Sequence, residues 1–247
     1  MTSVSEARLE VLADAEALAR HVAGWLVAAA VQSDRSFAVA LSGGSTPRRL
    51  YELLASSPYG DAFPWARTHW FWGDERFVPR HSAVSNYRMV RDAMLSRAPV
   101  PPANIHPIPT EGLTPDEAAR SYEAELKAFY GASILSADRP LFDVNFLGLG
   151  PEGHIASLFP GTAILKERTH WVGTVVGAKP EPRITLTYPA LEASREVAFL
   201  VTGAAKQAVL RRLLRGDALL PATHLHPSSG RARIFADRGA APDSQAP

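Results

Sequence analysis

The 247-residue chain contains no cysteine. Disulfides, thiolate nucleophiles and thiolate metal ligands are therefore excluded, and the composition fits a reducing cytosol. Charge of either sign is scarcely in excess: 26 Lys and Arg against 25 Asp and Glu leave +1 with His neutral. That argues against nucleic-acid binding driven by counterion release, although a local basic cluster still suits a small anion. No uninterrupted apolar run is long enough to span a bilayer. The opening "MTSVSEARLEVLADAEALARHVAGWLVAAA" lacks a basic segment ahead of an apolar one, so it does not read as a signal peptide. Internal repeats are missing too. A soluble, cytoplasmic protein with no nucleic-acid or membrane partner is expected.

What is present is a 46% hydrophobic chain, enough for one α/β domain with a substantial core. Residues 1–238 are assigned to that domain and 239–247, "GAAPDSQAP", to a disordered tail. Apolar positions Val11, Ala15, Leu18, Val22, Leu26 and Ala29 recur at helical spacing, which predicts a first amphipathic helix. "SFAVALSGG" predicts a buried strand running into a glycine turn, and "PRRLYELLA" a helix, with a Thr46 hydroxyl cap and Pro47 opening it. "THWFWGDERF" predicts a second strand ending in a charged loop, "NYRMVRDAML" a helix, and the Pro-rich "VPPANIHPIP" neither element. "TPDEAARSYEAELKAFYG" has the acidic start and glycine stop of a helix. "LFDVNFLGLG", "HWVGTVVG", "RITLTYPAL", "EVAFLVTG" and "ARIFAD" predict strands, with a helix over "AAKQAVLRRLLRG". Strands alternating with helices imply a Rossmann-like, mainly parallel sheet with helices on both faces. Ligands then sit at the carboxyl ends of the strands, where the loops beginning at Ser42, Gly73 and Gly148 converge.

"GLGPEGH", Gly148 to His154, spells the G-x-G-x-x-G of a dinucleotide turn. The reading fails on context. The turn lies past mid-chain, the next strand ends in Gly177, Ala178 and Lys179 without a carboxylate for a ribose, and Pro160 stops any helix begun at Gly153. The glycines instead let backbone approach a ligand while presenting Glu152 and His154 at a strand's end. A second glycine turn, "LSGGSTPRRL", runs from strand into helix. Free N–H groups of Gly43, Gly44, Ser45 and Thr46 at a helix start suit an anion. The Walker spacing and its lysine are lacking, which argues against nucleotide triphosphate hydrolysis.

Three segments in order, "LSGGSTP", "WGDERFVPRHSAVSNYRM" and "FLGLGPEGHIASLFPG", resemble the 6-phosphogluconolactonases, with "RITLTYPAL" and "FLVTGAAK" similar to the family's later strands and lysine. The related glucosamine-6-phosphate deaminases carry Ile-Ala-Phe-Asn-Glu after the histidine. Here the run is Ile155-Ala156-Ser157-Leu158-Phe159, which resembles the lactonases. Many members place Asp before Gly-His; this chain has Glu152, reaching one methylene further. The resemblance implies the fold shared with the deaminases, hydrolysis of 6-phospho-D-glucono-1,5-lactone in the oxidative pentose phosphate pathway, and neither metal nor other cofactor. The expected partner is the phosphorylated sugar lactone, met by a monomer or weak dimer.

Lactone hydrolysis needs a water, a base, oxyanion donors and a proton for the departing ring oxygen. An imidazole, with an ordinary pKa of about 6.5, can take and return that proton. His154 is the expected base, Glu152 its orienting or charge-stabilising partner, and Asp74 a positioner of the sugar or of an arginine. Arg76 can grip a phosphate bidentately. Lys206 resembles the family's phosphate-binding lysine, and Arg183 is a further cationic candidate. Asn86 resembles a family position and serves either substrate contact or helix capping. His21, His69, His81, His106 and His170 are isolated in sequence and read as structural or solvated. His224-Leu225-His226 lacks a nearby carboxylate for a metal site. The competing functions are the amino-sugar phosphate deaminase and a sugar-phosphate effector domain, for which the chain shows no DNA-binding module.

Overall fold

The computed structural model describes residues 4–228 and 231–242. Ten strands and seven helices alternate along them: β1 (Arg8–Leu12), α1 (Ala15–Gln32), β2 (Phe37–Leu41), α2 (Ser45–Leu54), α3 (Tyr59–Ala62), β3 (Thr68–Trp72), β4 (Asp74–Arg76), α4 (Asn86–Val90), β5 (Ile105–His106), α5 (Pro115–Tyr130), β6 (Phe142–Leu147), β7 (Val172–Val175), β8 (Arg183–Leu186), α6 (Tyr188–Glu192), β9 (Ser194–Val201), α7 (Gln207–Leu214) and β10 (Ala232–Asp237). Seven strands form one sheet in the order β1-β10-β9-β6-β2-β3-β5, every pair parallel. The remaining three, β4-β8-β7, make a small antiparallel sheet.

The strand order locates the ligand crevice. From β2 the chain advances to β3 and β5; from β6 it turns back through β9 to β10. Right-handed crossovers running in opposite directions lay their helices on opposite faces, α1 and α2 on one, α5 and α7 on the other. β2 and β6 are adjacent in the sheet, so the turns leaving them part in opposite directions and leave a gap between. That gap lies between Ser42–Gly44 and Gly148–Gly150.

The central strands have no polar face to show. All five residues of β2 and all six of β6 are buried, the pattern of a parallel sheet covered on both sides. Trp70 and Trp72 are fully buried, so these tryptophans belong to the core. Among the described residues no helix is long and apolar enough to cross a membrane.

Several boundaries depart from expectation. Val11 lies in edge strand β1, and the helix starts only at Ala15. Asp14 forces that start, its carboxylate accepting from the Ala17 N–H at 2.8 Å. Thr46 does not cap α2. The helix begins two residues earlier, at Ser45 behind Gly44, and the Thr46 hydroxyl bonds Thr202 at 2.6 Å instead. "DER" is a strand, not a loop, and Ile105–His106 adds a two-residue edge strand inside the Pro-rich connection. "VGTV" and "RITL" pair antiparallel outside the main sheet. By contrast α5 has the expected acidic first turn and ends on Gly131, and the structure adds a reciprocal Thr114–Glu117 capping box at its start.

His69 and His106 are not isolated. Their rings share a 3.0 Å contact, and His106 meets Glu125 at 2.8 Å. The segment from Gly239, assigned to a tail, is held against the body as far as it is described: Ala240 is fully buried and its N–H donates to Asp237 at 2.8 Å. Residues 243–247 of that assignment lie outside the described residues.

Candidate active site

At the switch between β2 and β6 a cavity of about 330 Å³ opens, bounded by the turn after β2, by β4, by the turn after β6, and by Lys179, Arg183 and Lys206. The three loops expected to converge do so here.

The turn after β6 is short and doubly tied. Gly150 N–H donates to the His154 carbonyl and Gly153 N–H to the Gly150 carbonyl, both at 2.9 Å. This folds the imidazole back onto Gly150. A Cβ built there would lie 2.0 Å from the ring's Cε1 and Nδ1. Gly150 thus makes room for the histidine rather than for a ligand, the partner expected from sequence. Nδ1 is sealed from solvent while the side chain keeps 23% of its exposure, so Nε2 is the nitrogen left to meet a reactant.

Glu152 stands on the sealed side. Its Oε2 lies 3.1 Å from Nδ1, close in distance yet not aligned as a hydrogen bond. Its Oε1 accepts from Lys179 Nζ at 2.9 Å. Burial works against the carboxylate's charge, but Lys179 and His154 outweigh it and hold the group at about 2. Burial pulls the His154 imidazole below its ordinary value, against the opposing pull of Glu152 and then Asp74. The free base is thereby the resting form at neutral pH. Phe159 packs its ring 4.6 Å from the imidazole, centroid to centroid.

Asp74, at the start of β4, reaches the same cavity. Its Oδ2 accepts from Ser157 Oγ at 2.6 Å, and Asn86 Nδ2 donates to its carbonyl at 3.0 Å. Ser157 follows Ala156, whose φ of 46° makes it the one described non-glycine residue in the left-handed region. Such strain persists only where the surroundings impose it. Here Ser157 is pinned on both sides, its N–H donating to Thr185 at 3.1 Å.

Glu75 organises the opposite wall. Its buried carboxylate accepts from the N–H groups of Arg76, Asn86 and Tyr87 and from Ser85 Oγ, over 2.7–3.1 Å. Burial pushes its proton affinity up, and those backbone donors counter it. Ser85, not Asn86, caps α4. Asn86 instead turns its amide over Gly43, where a Cβ would fall 1.9 Å from Oδ1.

Four cations line the cavity, Lys179 on Glu152 and three others. Lys206 Nζ donates to the Leu149 carbonyl at 2.7 Å, and burial lowers its pKa. Arg76 Nη1 donates to the Val84 carbonyl at 2.6 Å. Arg183 is 9% exposed, and its buried Nη1 has no partner. Its pKa falls through burial first and the neighbouring Arg76 second.

Of the residues expected from sequence, His154, Asp74, Gly43, Gly44, Asn86, Arg76, Arg183 and Lys206 line the one cavity. Glu152 lies behind His154. Ser45 and Thr46 stand off the wall, in the first turn of α2. Two residues were missed, Ser157 and Lys179. Serine at 157 carries no signal without the strained turn. Lys179 offered only its place in "AKPEPR", a rigid Pro-flanked approach to a strand.

The family described as glucosamine-6-phosphate isomerases/6-phosphogluconolactonase matches residues 13–234. The chain belongs to this family. A member from Synechocystis sp., a 6-phosphogluconolactonase, is 44% identical over 180 residues, spanning 73% of this chain and 72% of its own. Another, from Mycobacterium leprae, is 37% identical over 228 residues, 87% and 90% of the two chains. Among solved structures of the family, the 6-phosphogluconolactonase from Thermotoga maritima superposes with a TM-score of 0.79 at 30% identity, covering 94% of this chain and all of that one.

Proposed function

We propose that this chain is a 6-phosphogluconolactonase, a lactone hydrolase that converts 6-phospho-D-glucono-1,5-lactone to 6-phosphogluconate in the oxidative pentose phosphate pathway of the cytoplasm. The observation that carries the reading is the meeting in one cavity of a neutral, buried-side-anchored imidazole with four cations. The phosphorylated end of the substrate lies against Arg183, Lys206 and the Gly43–Gly44 turn, with Arg76 beside them. Backbone N–H groups at the start of α2 add to the grip. Arg183 Nη1, buried and unpartnered, is the donor such an anion satisfies.

With that end fixed, C1 comes to His154. Nε2 takes a proton from water as its oxygen attacks C1. The tetrahedral intermediate then collapses, the C1–O5 bond breaks, and the proton on Nε2 passes to O5. The new carboxylic acid ionises to the product. Glu152 stabilises the transient imidazolium from the Nδ1 side, and Asp74 does so from across the cavity while accepting a sugar hydroxyl. No step calls for a metal or other cofactor.

The test is lactone opening against the uncatalysed background, alongside ammonia release from glucosamine 6-phosphate. Rapid lactone decay without ammonia supports the reading. Ammonia release would assign the chain to the deaminases, and a folded His154→Ala variant with near-normal lactone hydrolysis would remove His154 from its role.

A further inference from the structure

The acid beside the imidazole is itself held by a residue outside the expected set. Lys179 bonds one oxygen of Glu152 while the other oxygen faces His154. The same ammonium lies 5.0 Å over the face of Phe159, whose ring packs on the imidazole. Lys179 therefore reaches two side chains packed beside His154, Glu152 and Phe159. On its far side Glu152 borders a second cleft of about 570 Å³, so open space adjoins the carboxylate there. A glutamate has three rotors, and restraining a side chain of that kind costs on the order of 1–2 kcal/mol of entropy. An ion pair anchored by Pro180 and the strand that follows supplies the restraint.

We propose that Lys179 is a positioning residue for the hydrolysis, holding Glu152 by Oε1 so that its other oxygen stays short of a hydrogen bond to His154 Nδ1, and so setting the pH range in which His154 works as a base. The inference rests on the reading of His154 as that base. The charges facing the imidazole are Glu152 from its own turn, Asp74 from β4 and Lys179 from the approach to β8; Arg76, Arg183 and Lys206 line the rest of the cavity. Lys179 acts on the imidazole in two ways with the same sign. Its positive charge disfavours the imidazolium directly, and its hold on Oε1 keeps part of Glu152's charge engaged elsewhere. Removing it strengthens the pull of Glu152 on the imidazole proton.

The experiment is the pH profile of kcat/KM for Lys179→Met, which keeps the stem over Phe159 and loses the charge. The acid limb is expected to move to higher pH by about 0.5 unit or more, roughly a threefold extra loss on that limb. Lys179→Arg is expected to return the limb to its original place. In the presence of Glu152→Gln, Lys179→Met should produce a clearly smaller shift. A lower rate with an unmoved limb would mean that Lys179 only packs, and overturns the proposal. Should the Met variant fail to fold, Lys179→Gln at this partly exposed position gives the same readout. The His154→Ala variant separates the two failures: if it retains activity, the base assignment falls, whereas an inactive His154→Ala with an unmoved Lys179 limb refutes only the clamp.

Discussion

Arg76 and Arg183 face one another in direct register across the β4–β8 ladder. Like charges placed opposite in an antiparallel pair cost about 0.2–1 kcal/mol, and burial of Arg183 adds to that. The arrangement is unfavourable in the empty protein and favourable once an anion lies between the guanidinium groups. Inorganic phosphate or 6-phosphogluconate is therefore expected to raise Tm, by about 2.7 kcal/mol equivalent at a hundredfold excess over Kd. Arg183→Met should leave the empty protein within about 1 kcal/mol of the parent, because relief of a desolvated guanidinium offsets loss of its 3.2 Å ion pair with Glu181. It should also abolish most of the phosphate-induced rise and increase KM at least tenfold. Thermal unfolding with and without phosphate checks both halves.

The depressed proton affinity of His154 has a sign in activity and in stability. With His154 acting as the proposed base, the acid limb of kcat/KM should fall below the ordinary imidazole range. For stability, the unfolded imidazole protonates first as pH falls. The unfolded state then binds more protons, and native stability declines as pH drops through the ordinary imidazole range towards the lower folded value. His154→Gln should flatten that part of the stability curve, measured by urea unfolding between pH 5 and 8.

Gly150 tolerates no side chain while His154 stays in place. Gly150→Ala is expected to turn the imidazole out of the cavity and to lower kcat by 10²-fold or more, the scale seen when a catalytic group moves by about 1 Å. Overpacking should cost on the order of 1–3 kcal/mol. Activity and melting of the variant, set beside His154→Ala, show whether the loss is that of the imidazole alone.

Gly43 offers a relievable version of the same test. Gly43→Ala pushes on the Asn86 amide, which holds Asp74. Its defect in stability should shrink when Asn86→Ala is added, since the second change vacates the space that the first one needs. A double-mutant cycle in Tm reads this directly; simple additivity would refute the contact.

Periodicity and turn chemistry revealed the alternating strands and helices, because buried parallel strands and capped helices leave local marks. α5 shows this best, with Thr114, Glu117 and Gly131 where the chain's own chemistry needs them. The start of α1 was less legible. Val11 fits a helical spacing by chance, and only Asp14's bond to the Ala17 N–H decides the boundary. The small antiparallel sheet was invisible as a separate body, since "RITL" reads as a strand whichever sheet receives it. Lys179 was missed for a related reason. Its partner lies 27 residues away, a distance that no local pattern encodes. Ser157 was hidden too, because only the strained turn at Ala156 aims it at Asp74; the expected members were legible because each sits near the mouth of a strand or helix.

The two sheets divide the chemistry between them. The imidazole is rooted in the turn after β6, on the large sheet, whereas Asp74, Arg76 and Arg183 ride on the small ribbon joined to it through Gly73, whose carbonyl accepts from Leu186 N–H at 2.9 Å. The ribbon is in effect a replaceable jaw. Residues at Arg76 and Arg183 can be exchanged to suit a differently charged sugar while His154, its acidic neighbours and the main core stay in place, which makes this wall the place to begin redirecting the protein towards new lactones.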